Sequence, residues 1–170
     1  MSRLSRTFTA LSLVVAAAGA RSADLSVSVE IPNVPVAEYH RPYVAVWIEG
    51  ADQAIAAHLA VWYQLRGDHT KWLPDLRQWW RRGGRDLKVP VDGVTGATRP
   101  VGQHLLKFDA KQEPLSKLAP GQYALVVEAV REVGGREAVR IPFEWPIKTA
   151  KRDTASGSKE LGAIALSLNP

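Results

Sequence analysis

Hydrophobic and polar residues alternate along several short stretches of the chain, a pattern typical of β-strands that bury one face. The stretch 24–31 places leucine, valine or isoleucine at every second position, with serine or glutamate between them. Further strands are predicted at 43–49, 55–65, 104–109, 123–131, 136–143 and 161–168. Short turn-rich connections predict hairpins between the strands at 43–49 and 55–65, and between those at 123–131 and 136–143. Residues 148–159 are polar and predict a long loop.

Residues 72–82 follow a different period. Trp72, Leu73, Leu76, Trp79 and Trp80 recur at spacings of three and four, which indicates one face of a short helix. Pro74 suits the first turn of that helix, and Gly83-Gly84 supplies its end. The simplest interpretation is that the tryptophans close one end of a core, with the arginines outward; stacking on a cofactor is the alternative.

The order of these elements predicts the fold class. Strands do not alternate with helices, which disfavours a doubly wound parallel sheet. The prediction is an all-β fold, an antiparallel immunoglobulin-like β-sandwich of about seven or eight strands with one short helix. Pro142 and Pro146 indicate that the strand at 136–143 lies at a sheet edge.

The N-terminus has the features of a secretory signal peptide. Arg3 and Arg6 precede a short apolar run at 10–18, and small residues follow at 18–20. Cleavage is expected after Ala20 or Ala23, so residues 1–20 are predicted to be the signal peptide and 21–170 a single exported domain. The alternative is an N-terminal helix that is retained.

Composition excludes several chemistries. The chain has no cysteine, so disulfides, thiolate nucleophiles, iron–sulfur clusters and covalently attached c-type haem are excluded. The formal charge is +5, and its excess is concentrated at Arg77, Arg81, Arg82 and Arg85. Such a cluster forms either a solvated helix face or a site for an anionic partner. No nucleic-acid recognition motif is present.

Familiar catalytic and metal-binding motifs are also missing. The four histidines, at 40, 58, 69 and 104, show no metal-ligand spacing, and His58 is expected to be packed or hydrogen-bonded. There is no Gly-x-Ser-x-Gly nucleophile elbow. Neither double glycine lies in a strand–helix phosphate loop. A self-contained enzyme is therefore not indicated.

The most specific stretch is 92–98, Asp-Gly-Val-Thr-Gly-Ala-Thr. Its small and polar residues predict an exposed, mobile loop. It fits the pattern Asp-x-x-Ser/Thr-Gly-Ala-Ser/Thr, and so resembles the acceptor motif of covalently flavinylated exported proteins. The other interpretation is two successive turns, an Asp-Gly turn and a Thr-Gly turn, in which Asp92 accepts backbone hydrogen bonds.

The resemblance implies a cofactor and a set of roles. A flavin transferase would join FMN to Thr98 by a phosphoester bond. Asp92, Thr95, Gly96 and Ala97 would form the sequence that the transferase recognises. Arg99, and the arginines at 81–85, are expected to pair with the phosphate. If the tryptophans have the alternative role rather than closing the core, they would stack on the flavin ring.

A second resemblance covers nearly all of the exported part. The segments 41–47, 71–73, 95–99 and 128–132, together with Tyr123, make the chain similar to domain of unknown function 2271. That family consists of predicted periplasmic proteins associated with PepSY-type membrane proteins and flavin transferases. Two functions stay open: a periplasmic FMN-carrying electron-transfer module, and a non-redox periplasmic binding or accessory β-sandwich.

Overall fold

The computed structural model describes residues 24–170 as two packed β-sheets. The nine strands are β1 (Asp24–Ile31), β2 (Tyr43–Glu49), β3 (Ile55–Tyr63), β4 (Thr95–Ala97), β5 (Gly102–Asp109), β6 (Gly121–Val130), β7 (Arg136–Trp145), β8 (Lys151–Ser156) and β9 (Ala163–Asn169). One sheet has the order β5-β1-β9-β8, and the other has the order β4-β3-β2-β6-β7. The predicted all-β sandwich is confirmed.

Alternating burial follows directly from the sequence pattern. In β1, Leu25, Val27 and Val29 are fully buried, and they face the opposite sheet in the core between the sheets. The central strand β2 is buried on both faces instead. Trp47 belongs to a second core on the outer face of the five-stranded sheet. That outer core explains why 43–49 is an almost unbroken apolar run.

The helical segment covers the outer core. It consists of a 3₁₀ helix at Thr70–Asp75, the α-helix α1 at Arg77–Arg82, and a further 3₁₀ turn at Gly84–Asp86. The single helix predicted at 72–82 is thus divided at Leu76, whose ψ of 70° is not helical. The expectation that the segment closes the end of the core was wrong, because Leu73, Leu76 and Trp79 pack on a sheet face. The helix ends before Gly83, as predicted.

Two strands were missed by the sequence pattern. The predicted loop at 148–159 contains β8, an edge strand whose sequence, Lys-Arg-Asp-Thr-Ala-Ser, has no apolar alternation. Charged residues are common on edge strands because they discourage further pairing. The other is β4, which pairs with β3 in parallel, so the sandwich is not purely antiparallel. Both predicted hairpins and the edge position of β7 are confirmed.

The predicted signal peptide and its cleavage sites lie outside the described residues. Within 24–170, no helix combines the length and the apolar composition that crossing a membrane requires.

A buried carboxylate attaches α1 to the sheet. Leu76, the residue before the helix, offers no side-chain cap. Glu128 of β6 takes that role: its two oxygens accept hydrogen bonds from the backbone N–H groups of Gln78 (3.1 Å) and Trp79 (2.8 Å). Arg136 of β7 pairs with the same carboxylate at 3.1 Å. These donors compensate the cost of burying a charge completely.

A second carboxylate joins the two sheets. Glu137 of β7 accepts hydrogen bonds from four consecutive backbone N–H groups, those of residues 158–161 between β8 and β9. The Ser158 hydroxyl is a fifth donor. Desolvation is the largest single influence on the pKa of Glu137 and raises it, but the hydrogen bonds together outweigh it and lower the pKa from 4.5 to about 2.

Replacing Glu128 tests its role in holding α1. We expect Glu128→Gln to lower the free energy of unfolding by about 2–4 kcal/mol. The amide keeps one acceptor oxygen but places its NH2 donor against one of the two N–H groups, and the ion pair with Arg136 is lost. Urea unfolding followed by tryptophan fluorescence measures the change. Glu144→Gln is the matched control, since Glu144 is exposed on β7 and pairs only with Lys148. Equal stability of the two variants would contradict the capping role.

Glu137 predicts a specific acid sensitivity. Because folding depresses its pKa, the carboxylate contributes stability that is complete above pH 4.5 and is lost as the pH falls towards about 2. Glu137→Gln should therefore lose roughly 1–2 kcal/mol at pH 7, less than the full pKa shift implies because solvent screens this partly exposed carboxylate, and it should show a flatter stability profile between those pH values. Unfolding curves at several pH values measure this. Exposed Glu113→Gln is the control and should keep the wild-type profile.

Candidate functional site

A cleft of about 570 Å³ opens at one end of the five-stranded sheet. Antiparallel pairing places the start of β2 beside the end of β6, with Tyr43 opposite Val130. The parallel pair β3 and β4 ends at the same edge. The residues that line the cleft are Tyr39, His40, Arg41, Tyr43, Gln64, His69, Trp72, Asp75, Thr98, Val130, Arg131, Glu132 and Val133. The volume lies within the range of small-molecule sites.

Thr98 is held at this cleft by the backbone of the edge strand. β4 runs beside residues 61–63 of β3, and the Thr98 N–H then donates to the Tyr63 carbonyl at 3.2 Å. The Thr98 side chain is half-buried. The motif is therefore not the mobile loop that the sequence predicted; its second half is fixed as the end of a sheet.

The first half of the motif is a closed turn. The Val91 N–H donates to the Thr95 hydroxyl at 2.8 Å, and the Thr95 N–H donates to the Val91 carbonyl at 2.8 Å. Gly93 has a φ of +72°, a conformation that glycine adopts without strain. Asp92 is exposed at the tip of the turn, so Thr95, rather than the expected Asp92, is the side chain that holds the turn.

Gly96 and Arg99 both contact Trp62. Gly96 lies opposite Trp62 in the sheet, and a Cβ at position 96 would come within 3.2 Å of the indole ring. The Arg99 guanidinium lies 5.2 Å from the centre of the same ring. Ala97 is exposed. Of these three motif positions none lines the cleft; glycine is favoured at 96 by close packing.

The expected phosphate-binding arginines lie elsewhere. Arg82 pairs with buried Glu49 at 3.0 Å, and Arg81 donates to the Arg77 carbonyl. Among the described residues that line the cleft, the arginines are Arg41, two residues before β2, and Arg131, directly after β6. The sequence pattern did not single out either one.

The three tryptophans of the helical segment have different environments. Trp79 is fully buried and donates from Nε1 to Nδ1 of His58 at 3.1 Å. Trp80 is partly buried and packs against the same outer core. Only Trp72 of the three lines the cleft, with 52% of its surface exposed. Core packing therefore accounts for Trp79 and Trp80, and Trp72 is the one available for stacking on a ligand.

The histidines do not form a metal site in the part of the chain that the structure describes. No three histidine, aspartate or glutamate side chains within 24–170 converge on a point that would hold an ion. Burial lowers the pKa of His58, so its ring stays neutral and accepts the hydrogen bond from Trp79. The prediction that His58 is hydrogen-bonded is confirmed.

Two residues of the cleft were missed by sequence reasoning. Tyr39 Oη and Arg131 Nη1 are both buried, and neither has a hydrogen-bond partner among the described residues. Arg131 lies two residues after a run of six buried residues in β6, and a charge at that position was the available signal. Tyr39 lies in the irregular connection between β1 and β2, and the sequence around it carries no such signal.

Together these features define a class: an all-β sandwich with a ligand-sized cleft where the ends of four strands meet. The chain belongs to the family described as "Predicted periplasmic protein (DUF2271)", whose model matches residues 24–163. No curated protein and no solved structure matches the chain. The family places the protein in the periplasm and confirms the resemblance to domain of unknown function 2271.

The turn before Thr98 depends on one hydroxyl. Thr95→Val keeps the size and branching of the side chain but removes the acceptor for the Val91 N–H. We expect it to lower the free energy of unfolding by about 1 kcal/mol. Thr154→Val, at an exposed position of β8, is the matched control. Urea unfolding measures both; equal values for the two variants would show that Thr95 does not hold the turn.

Proposed function

We propose that this protein is a periplasmic electron-transfer module that carries FMN on Thr98. The observation that carries the proposal is the position of Thr98: the last hydroxyl of the acceptor-like motif lies in the lining of a ligand-sized cleft, together with the exposed ring of Trp72. A residue that only turned the chain would have no reason to share a cavity with an aromatic side chain that is half exposed.

The donor set of the cleft fits a flavin. Trp72 offers an aromatic face for stacking. Tyr39 Oη and Arg131 Nη1 offer two buried hydrogen-bonding atoms without partners in the described chain. Arg41, at the same cleft, is a cation that an FMN phosphate could pair with. FMN supplies reversible transfer of one or two electrons when bound. The residues of the chain would hold and shield it.

Attachment of FMN requires a second enzyme. In the proposed reaction the Thr98 oxygen forms a bond to the flavin-bearing phosphorus of FAD, the bond between the two phosphates breaks, AMP leaves, and the hydroxyl proton is released. Thr98 directly follows the edge strand β4 and is flanked by exposed Ala97 and Arg99. A flavin transferase would approach this open edge. Export by the signal peptide at 1–20 would bring the two proteins together.

A PepSY-type membrane protein is the proposed redox partner. Its role rests on the association of the family with such proteins, and the cleft position of Thr98 is compatible with it because a flavin there would lie near the surface. The alternative function is a non-redox binding or accessory protein, in which the same cleft holds a ligand and Thr98 carries no flavin.

The test uses the full chain, exported in its own host with its flavin transferase active. On a denaturing gel, the wild-type band should show flavin fluorescence, and its intact mass should exceed the chain mass by FMN less one water. Thr98→Ser keeps a hydroxyl and should retain flavin, whereas Thr98→Ala should lose it completely. Thr154→Ala, at an exposed position far along the chain, is the control that should remain labelled.

Two outcomes are decisive against parts of this proposal. Absence of flavin from the wild-type protein in that host would rule out the FMN carrier and favour the accessory function. Retention of flavin by Thr98→Ala would show that FMN is attached at another residue.

A further inference from the structure

The cleft contains two hydrogen-bonding atoms that the described chain leaves unused. Tyr39 Oη and Arg131 Nη1 are shielded from solvent and lack partners. Leaving a buried polar group unsatisfied is costly, so most such groups in proteins are paired. Both residues line the same cavity. A ligand that presents acceptor atoms there would satisfy both.

Arg131 is fixed in place by its other nitrogens. Its Nε and Nη2 donate to the two carboxylate oxygens of Glu160 at 2.8 and 3.1 Å, so Nη1 lies away from the edge that Glu160 occupies. The guanidinium also lies 5.9 Å from the centre of the Tyr39 ring. Gly134 packs closely on it, since a Cβ there would come within 2.6 Å of Arg131 Cζ. The free Nη1 is therefore preorganised.

Tyr39 is the adjustable member of the pair. It lies in the irregular connection between β1 and β2, outside the strands of either sheet. Desolvation raises the pKa of the Tyr39 phenol, against the opposing effect of Arg131, so the hydroxyl stays protonated and able to donate at neutral pH.

The remaining lining selects the chemistry of the ligand. Trp72, Tyr43 and Val130 provide aromatic and apolar walls. The charge of Arg131 is compensated by Glu160, and the charge of Arg41, the other arginine of the lining, is outnumbered by the carboxylates of Asp75 and Glu132. A site for a free anion would need uncompensated positive charge. A planar, uncharged ring with carbonyl acceptors would pack against these walls and would accept hydrogen bonds from Tyr39 and Arg131.

We propose that the cleft binds the isoalloxazine ring of a flavin, with Trp72 stacking on it and with Tyr39 Oη and Arg131 Nη1 donating to its carbonyl oxygens. The inference deepens the proposed function, because it places the ring of the Thr98-linked FMN in a defined pocket. It also makes a claim that does not need attachment: the unmodified protein has a ring-binding site of its own.

The experiment titrates free FMN into the full chain produced in a host without a flavin transferase. Binding should quench the flavin fluorescence. The quenching should saturate at free FMN concentrations below about 1 mM, which is the effective concentration that a short tether supplies. Inorganic phosphate is added as a competitor, and it should not displace FMN if the ring is what the cleft recognises. No saturation below that concentration, or displacement by phosphate, would overturn the inference.

Matched variants locate the site. Tyr39→Phe removes one hydroxyl and should weaken FMN binding roughly three- to tenfold. Trp72→Leu should weaken it about tenfold through loss of stacking. Tyr123→Phe is the control, because the Tyr123 hydroxyl donates to the Ala119 carbonyl outside the cleft, and it should bind as the wild type does. Equal affinities of Tyr39→Phe and Tyr123→Phe would contradict the assignment.

The inference and the proposed function fail separately. Saturable, phosphate-resistant FMN binding by the unmodified chain supports the pocket even if Thr98 is never modified. Conversely, the wild-type protein could carry FMN on Thr98 while Tyr39→Phe and Trp72→Leu bind free FMN as tightly as the wild type does. That result would support the carrier function and overturn the proposed pocket.

Discussion

The structure depends on the buried carboxylate of Glu128. It is a charge with no solvent exposure, and it persists because two backbone N–H groups of α1 and the guanidinium of Arg136 converge on it. Without that cap, a helix of six residues would have little stability of its own. The outer core would then lose its cover, and the 3₁₀ segment that places Trp72 at the cleft would lose its support.

The cleft is a consequence of strand pairing. The register of β2 against β6 and of β3 against β4 brings four chain segments that are distant in sequence to one end of the five-stranded sheet. Arg131 and Glu160 then connect the two sheets beside it. Function-bearing groups are thereby held by rigid elements, while Tyr39 comes from an irregular connection that has more freedom. This division would suit the proposed flavin site, which must both fix a ring and admit it.

Sequence alone predicted the strands whose apolar residues alternate or run continuously, because burial on one or both faces leaves a direct record in the chain. It failed for β8, whose exposed edge requires no apolar residues, and for β4, whose three residues pair in parallel with a distant strand. The motif at 92–98 drew attention to Thr98. Arg131 and Tyr39 could not be connected to it, since both are distant from Thr98 in sequence and approach it only in the folded chain. The helix period was right about Leu73, Leu76 and Trp79, but Trp72, which shares their spacing, faces the cleft.

The central claim is that Thr98 carries FMN. The most direct measurement is tandem mass spectrometry of the peptide that contains both Thr95 and Thr98, isolated from the protein exported in its native host with the flavin transferase active. The mass of FMN less one water is expected on fragments that include Thr98 and not on fragments that end at Ala97. An unmodified Thr98, or the added mass on Thr95, would contradict it.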